Sequence, residues 1–206
     1  MSKGNTQSEA MSESWRNGDY DDVPYKGFRL RLLKVLQAVG LMPGVESLES
    51  RIKATELSYG WASIMRCSLT GLKPDGTFGA SSAQVIAAMK RPEANVWLSN
   101  CIASHLGRLS RRARLVVLLS NDDNYMRVIS KTMKGVFGQA YEEHPSLSPV
   151  VFRAGPRIFV HVGHPSPLNG TLGEFLDGDK LLGQGKKREM ARLGVKGALG
   201  DLMGTI

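Results

Sequence analysis

Two uninterrupted apolar runs, Leu115-Val116-Val117-Leu118-Leu119 and Ile158-Phe159-Val160-His161-Val162-Gly163, constrain this chain more than any other feature. Each is too short for an ordinary helix and lacks the alternation of a strand wetted on one face, so each is expected to be a strand covered on both sides. Such strands need helices above and below them. The prediction is an α/β fold: three layers, α/β/α, around a small, mostly parallel central sheet.

The helical periodicities fit that plan. Phe28, Leu32, Val35, Leu36 and Val39 recur at helical spacing, interleaved with Arg29, Arg31 and Lys34, and predict an amphipathic helix ending near Gly40. Trp61-Ala62-Ser63-Ile64-Met65 is a short strand candidate, followed by a Gly- and Pro-rich loop from Gly71 to Gly79. A helix capped by Ser81 or Ser82 runs through Met89, and another spans about Ala94 to Leu109. Asp122 and Asp123 suit the positive end of a helix from Asn124 to about Phe137. A Pro-rich connection leads to the second apolar run, and short helical segments carrying Lys186-Lys187-Arg188 follow it. Residues 1–24 are polar and acidic-tinged without an apolar period, so residues 25–206 are expected to form the domain. Right-handed crossovers predict parallel strands near 61–66, 115–119 and 158–163, with Ser63 and His164 at one carboxyl edge.

Composition narrows the partners. The chain has 206 residues, a net charge of +8 and a pI near 9.7, which suits a polyanion such as DNA, although many basic proteins bind no nucleic acid. Only Cys67 and Cys101 occur, too few to ligate an iron–sulfur cluster. No secretory segment and no apolar run of membrane-spanning length is present, so a soluble, cytoplasmic monomer is expected, with no membrane partner.

The chemistry concentrates after the second apolar run, in His164-Pro165-Ser166-Pro167-Leu168-Asn169-Gly170. Open α/β sheets place ligands at the carboxyl ends of their strands. Two prolines two apart fix two φ angles and remove two donors, which builds a rigid loop able to hold an imidazole and an apolar tip in fixed relation. This segment resembles the second signature motif of the uracil-DNA glycosylase superfamily. Val23-Pro24-Tyr25-Lys26-Gly27 before a helix is similar to the family segment in which an aromatic residue stacks on the flipped base. The match covers roughly residues 23 to 190.

The resemblance implies a DNA repair hydrolase performing base excision on uracil or a related deaminated base. His164 stabilises the leaving base, Tyr25 stacks on it, and Leu168 fills the gap left in the duplex. Ser63 stands where many members carry an asparagine that reads the uracil edge, and offers a hydroxyl in place of the amide. Ser166, Asn169, Lys186, Lys187 and Arg188 are expected at DNA. The family's first motif, with its water-positioning Asp or Asn, has no clear counterpart. Asn5 is the nearest candidate, and a start within a longer gene product is preferred to loss of the motif. No cofactor and no metal are implied, and the His161–His164 pair lacks a third ligand nearby.

Simpler roles stand beside each of these. Tyr25 can staple a helix start, Leu168 can anchor a buried loop, His161 can belong to the core, and the basic cluster can be a solvated helix face. The rival function is a catalytically inactive DNA-binding module of the same fold.

Overall fold

A computed structural model of the chain describes residues 24–64 and 91–203, together with 14, 16–18, 21, 71–72, 76, 78–79 and 87–89. The chain clusters into two compact units, residues 1–62 with 163–188 and residues 63–162 with 189–206. The fold is α/β. No helix among the described residues is long and apolar enough to cross a membrane.

The second unit is built on a four-stranded sheet. Besides a two-stranded ladder of β1 (Gly71–Leu72) and β2 (Phe78–Gly79), it contains β3 (Leu115–Leu119), β4 (Tyr141–Glu143), β5 (Val151–Ala154) and β6 (Arg157–Val162) in the order β3-β6-β5-β4. β3 and β6 are parallel, with Leu115 opposite Ile158 and Leu119 opposite Val162. β5 runs antiparallel to both β6 and β4. The sheet is therefore mixed, with its parallel pair formed by the two continuous apolar runs. β4, β5 and the turn from β5 into β6 lie in the stretch that the sequence suggested was a plain connection. Both strands are short, and Pro149 and Pro156 bracket β5, so the periodicity that marks longer strands is missing.

Helices cover both faces. Side chains alternate along a strand, and Leu118, Phe152, Ala154 and Phe159 share a buried core with Leu98 and Ile102 on one side of the sequence and Ile129 and Met133 on the other. These residues come from α2 (Pro92–Cys101), which continues through a π turn over Ile102–Leu106, and from α3 (Asp123–Phe137). Phe152 and Phe159 stack with centroids 5.0 Å apart and planes 5° from parallel. The other face meets α5 (Gly183–Met203), whose residues from 189 onward belong to this unit. Gly194 is needed there, because a Cβ would lie 2.6 Å from a Val151 methyl and 3.2 Å from Val160. Glycine lets helix and sheet approach.

Local chemistry sets the boundaries of α3. The Asp122 carboxylate accepts from the Tyr125 N–H at 2.9 Å, satisfying one orphan donor of the first turn. Beside it, His161 is fully buried in β6, its Nδ1 2.8 Å from the Ser120 carbonyl and its ring edge-on to Tyr125. His161 is thus a core residue.

The strand anticipated at 61–65 is not formed at 61–64, which are irregular, and residue 65 lies outside the described residues. Ala62 and Ser63 are small and exposed, so this stretch has little apolar surface to hold against a core. The expected parallel trio reduces to the pair β3 and β6. Of the helix anticipated from Ser81 or Ser82, residues 87–89 are helical and the start lies outside the described residues.

The first unit contains α1 (Arg29–Ala38), a 3₁₀ turn over Glu49–Arg51 and α4 (Leu172–Asp177). α1 buries Leu32, Leu33, Val35 and Leu36, four residues of the anticipated stripe or its neighbours, and ends before Gly40, whose φ of +86° breaks the helix.

Candidate functional site

The first unit brings the expected histidine loop and the Pro-Tyr segment to one aromatic cluster. Chain geometry begins it. β6 ends at Val162, and Gly163 and His164 follow directly. A Cβ at Gly163 would lie 2.9 Å from the ring of Phe175, which is fully buried on α4. Only glycine passes that ring, so the exit path of the loop is set before the histidine is reached.

The loop then braces itself. The His164 Nδ1 accepts from the Ser166 N–H at 3.1 Å, and the Ser166 hydroxyl accepts from the Leu168 N–H at 3.2 Å. The Asn169 amide donates to the His164 carbonyl at 2.8 Å, while its Oδ1 accepts from both the N–H and the hydroxyl of Thr171. The consequence for chemistry is a defined tautomer. An Nδ1 that accepts a backbone N–H carries no proton, so the neutral ring is protonated at Nε2 and can donate from there. Desolvation by surrounding atoms holds the His164 pKa below its ordinary value, although the residue as a whole is exposed at the surface.

A pinned imidazole alone distinguishes nothing. His144, in the other unit, accepts from the N–H groups of Ser146 and Leu147 in the same manner. What sets His164 apart is its neighbours. The Phe28 ring lies 6.4 Å from the imidazole, centroid to centroid. Phe28 in turn meets Tyr25 edge-on at 5.7 Å, and Tyr25 meets Trp61 edge-on at 5.4 Å. Tyr25 has a φ of +58°, a left-handed backbone that costs a non-glycine residue roughly 1–3 kcal/mol. The cost is met by bonds around it: Arg29 donates to the carbonyls of Pro24 at 3.0 Å and Asp21 at 2.7 Å, and it pairs with Glu49. Trp61 is fastened by its indole N–H, which donates to the Arg51 carbonyl at 2.6 Å. Burial raises the Tyr25 pKa, so its hydroxyl stays neutral. Phe28 and Trp61 were not among the anticipated site residues, since at sequence level Phe28 is one member of a helical stripe and Trp61 the start of a strand.

Leu168 stands at the tip of the loop with 93% of its surface exposed, which removes the reading of it as a buried anchor. Single exposed leucines are common, and Leu57 is as exposed. Leu168 differs in being carried on a loop whose backbone is tied at Ser166 and Asn169.

The basic cluster divides by role. Arg188 donates to the carbonyls of Phe175 at 3.1 Å and Gly178 at 3.0 Å and also to that of Leu176, so it caps the carboxyl end of α4. Lys187 is half-buried, and Lys186 is exposed. An open depression of about 600 Å³ is lined in part by Phe28, together with Lys26, Gly27, Arg29, Arg31 and Glu49 among others. Its lining sets Lys26 and Arg31 beside the Arg29–Glu49 ion pair.

Of the remaining expectations, Ser63 is exposed and belongs to the other unit, and Asn5 lies outside the described residues. Among the described residues, no three His, Cys, Asp or Glu side chains gather as a metal site. No family model, curated protein or solved structure matches the chain.

Proposed function

We propose that the chain is a DNA glycosylase of the uracil-DNA glycosylase type, which hydrolyses the N-glycosidic bond of uracil or a related deaminated base. One arrangement supports this reading: a neutral imidazole with its donor nitrogen fixed, set in an aromatic cluster, four residues from a fully exposed leucine on the same braced loop.

Each part has a task in that reaction. Lys26, Arg31 and Lys186 hold phosphates, a contact that orients the strand without reading its sequence. Extrusion of the nucleotide costs a few kcal/mol, least at a mispair, and Leu168 occupies the vacated space. Tyr25 and Phe28 give the extruded base an aromatic wall. As the glycosidic bond breaks, its electron pair leaves with the base, and the His164 Nε2–H donates to the base oxygen that gains charge. The water oxygen bonds to the sugar carbon, and its proton passes to solvent. Resemblance assigns the positioning of that water to Asn5.

The test is a strand-cleavage assay on a uracil-containing oligonucleotide, with alkali treatment to reveal abasic sites. Uracil-dependent cleavage is the expected outcome. Tight, uracil-preferring binding without release of base would identify a binding module in place of an enzyme. Absence of both would overturn the assignment.

A further inference from the structure

Within the sheet-bearing unit, an arginine-rich loop leads into the amino-terminal end of β3, which is also the end at which its parallel neighbour β6 begins. Arg108, Arg111, Arg112 and Arg114 fall within seven residues before β3, and all four are exposed. None of them forms an ion pair with a described carboxylate. Lys134 adds a fifth exposed cation, since it sits in the last turn of α3 and the turn that follows is tied to the β5–β6 hairpin by the Gly155 N–H to Ala140 carbonyl bond of 2.9 Å. The described acids of this unit have other places: Glu93 lies in the first turn of α2, Asp122 and Asp123 follow the carboxyl end of β3, Glu143 ends β4, Glu142 is paired with Arg153, and Glu189 with Arg192.

The arginine loop is held in shape from beneath. Arg157, the first residue of β6 and itself buried, donates to the carbonyls of Leu109 and Ser110. The Ile158 N–H donates to the Arg114 carbonyl at 3.0 Å, and the Ala113 N–H to the Ser110 carbonyl at 3.0 Å. A buried cation spent on two loop carbonyls fixes the loop before any partner arrives, which lowers the ordering cost of binding.

We infer that this amino-terminal end of the sheet is a nucleic-acid backbone contact, one that does not depend on whether the His164 loop excises a base. The choice of partner follows from what the surface lacks. Protein interfaces draw their energy from buried aromatic and aliphatic anchors. Residues 107–114 contain no exposed large apolar side chain, for Leu109 is half-buried and Ala113 is small. Their attraction is charge alone, and charge alone suffices against a polyphosphate, where each contact releases counterions. Guanidinium groups also match phosphate oxygens in pairs.

The test uses the full chain and undamaged duplex DNA, so that no excision enters the readout. Binding is followed by fluorescence anisotropy over a series of NaCl concentrations for three proteins: the parent, a variant with Arg108, Arg111, Arg112 and Arg114 all changed to Gln, and a variant with the exposed Lys34, Lys53, Lys180 and Lys196 changed to Gln. The arginine variant is expected to bind about tenfold or more weakly, with a slope of log K against log salt shallower by up to about 3.6, at the 0.9 per phosphate expected of four backbone contacts. Changing the same four arginines to Lys should restore most of the slope. Equal losses in the arginine and lysine-site variants would overturn the inference, because they would show diffuse attraction to net charge. Displacement of DNA by polyglutamate at equal charge concentration would overturn it in favour of an acidic-protein partner.

Discussion

At the scale of single residues, His164 and Leu168 are distinguishable by experiment. Desolvation lowers the His164 pKa, so the folded protein takes up that proton at lower pH than the unfolded chain, whose histidine titrates near about 6.5. Between the two values the unfolded state binds more protons. This residue's contribution to stability is therefore complete above about pH 6.5, declines as pH falls through that value, and levels off below the folded pKa. The same shift keeps Nε2–H a neutral donor, so an excision rate measured from pH 7.5 downward should stay level through about 6.5 and fall only below it. A rate falling with a midpoint at or above 6.5 would contradict the neutral-donor role. Leu168→Ala should slow excision from paired duplex by about tenfold more than from single strands, since only the duplex leaves a gap to fill. Equal slowing on both substrates would remove the wedge. These two residues were legible in sequence because a Pro-x-Pro loop after an apolar run has few conformations. Phe28 and Trp61 were not, since their contacts join segments distant in the chain.

Elements show where local signals carry and where they fail. β3 and β6 were legible as continuous apolar runs, and α3 was legible from its Asp122 cap. β4 and β5 were not, because three- and four-residue strands have too few positions to display a period, and their stability comes from pairing within the sheet, β5 with β6 and β4 with β5. The passage from β6 into the histidine loop rests on Gly163. Gly163→Ala places a methyl against the buried Phe175 ring, a form of overpacking that costs about 1–3 kcal/mol. The expected result is a lower denaturant midpoint together with slower excision, as the displaced ring shifts the loop. An unchanged midpoint and rate would mean the loop does not depend on that close approach. Asp122→Ala, which removes the cap of α3 in the other unit, should cost about 1 kcal/mol and leave salt-dependent DNA binding unchanged.

For the whole molecule, net charge proved a coarse guide. The +8 total suggested a polyanion, but it is the placement of that charge that distinguishes surfaces. In the sheet-bearing unit, arginines collect at the amino ends of β3 and β6 and acids at the carboxyl ends of β3 and β4. A basic loop of this kind reads in sequence as an ordinary connection, because its significance depends on which carboxylates fold beside it. The division of the chain into two compact units was likewise invisible, since each unit is assembled from segments far apart in sequence. The central claim remains the assignment of chemistry to the His164 loop, and parallel measurement of excision and binding by His164→Ala tests it most directly. Loss of a hydrogen bond that strengthens as charge develops should lower the single-turnover excision rate by about 10²–10³-fold, with affinity for the same uracil-containing duplex changed by no more than about threefold, since phosphate contacts dominate binding. Equal losses in rate and affinity, or an unchanged excision rate, would contradict the account.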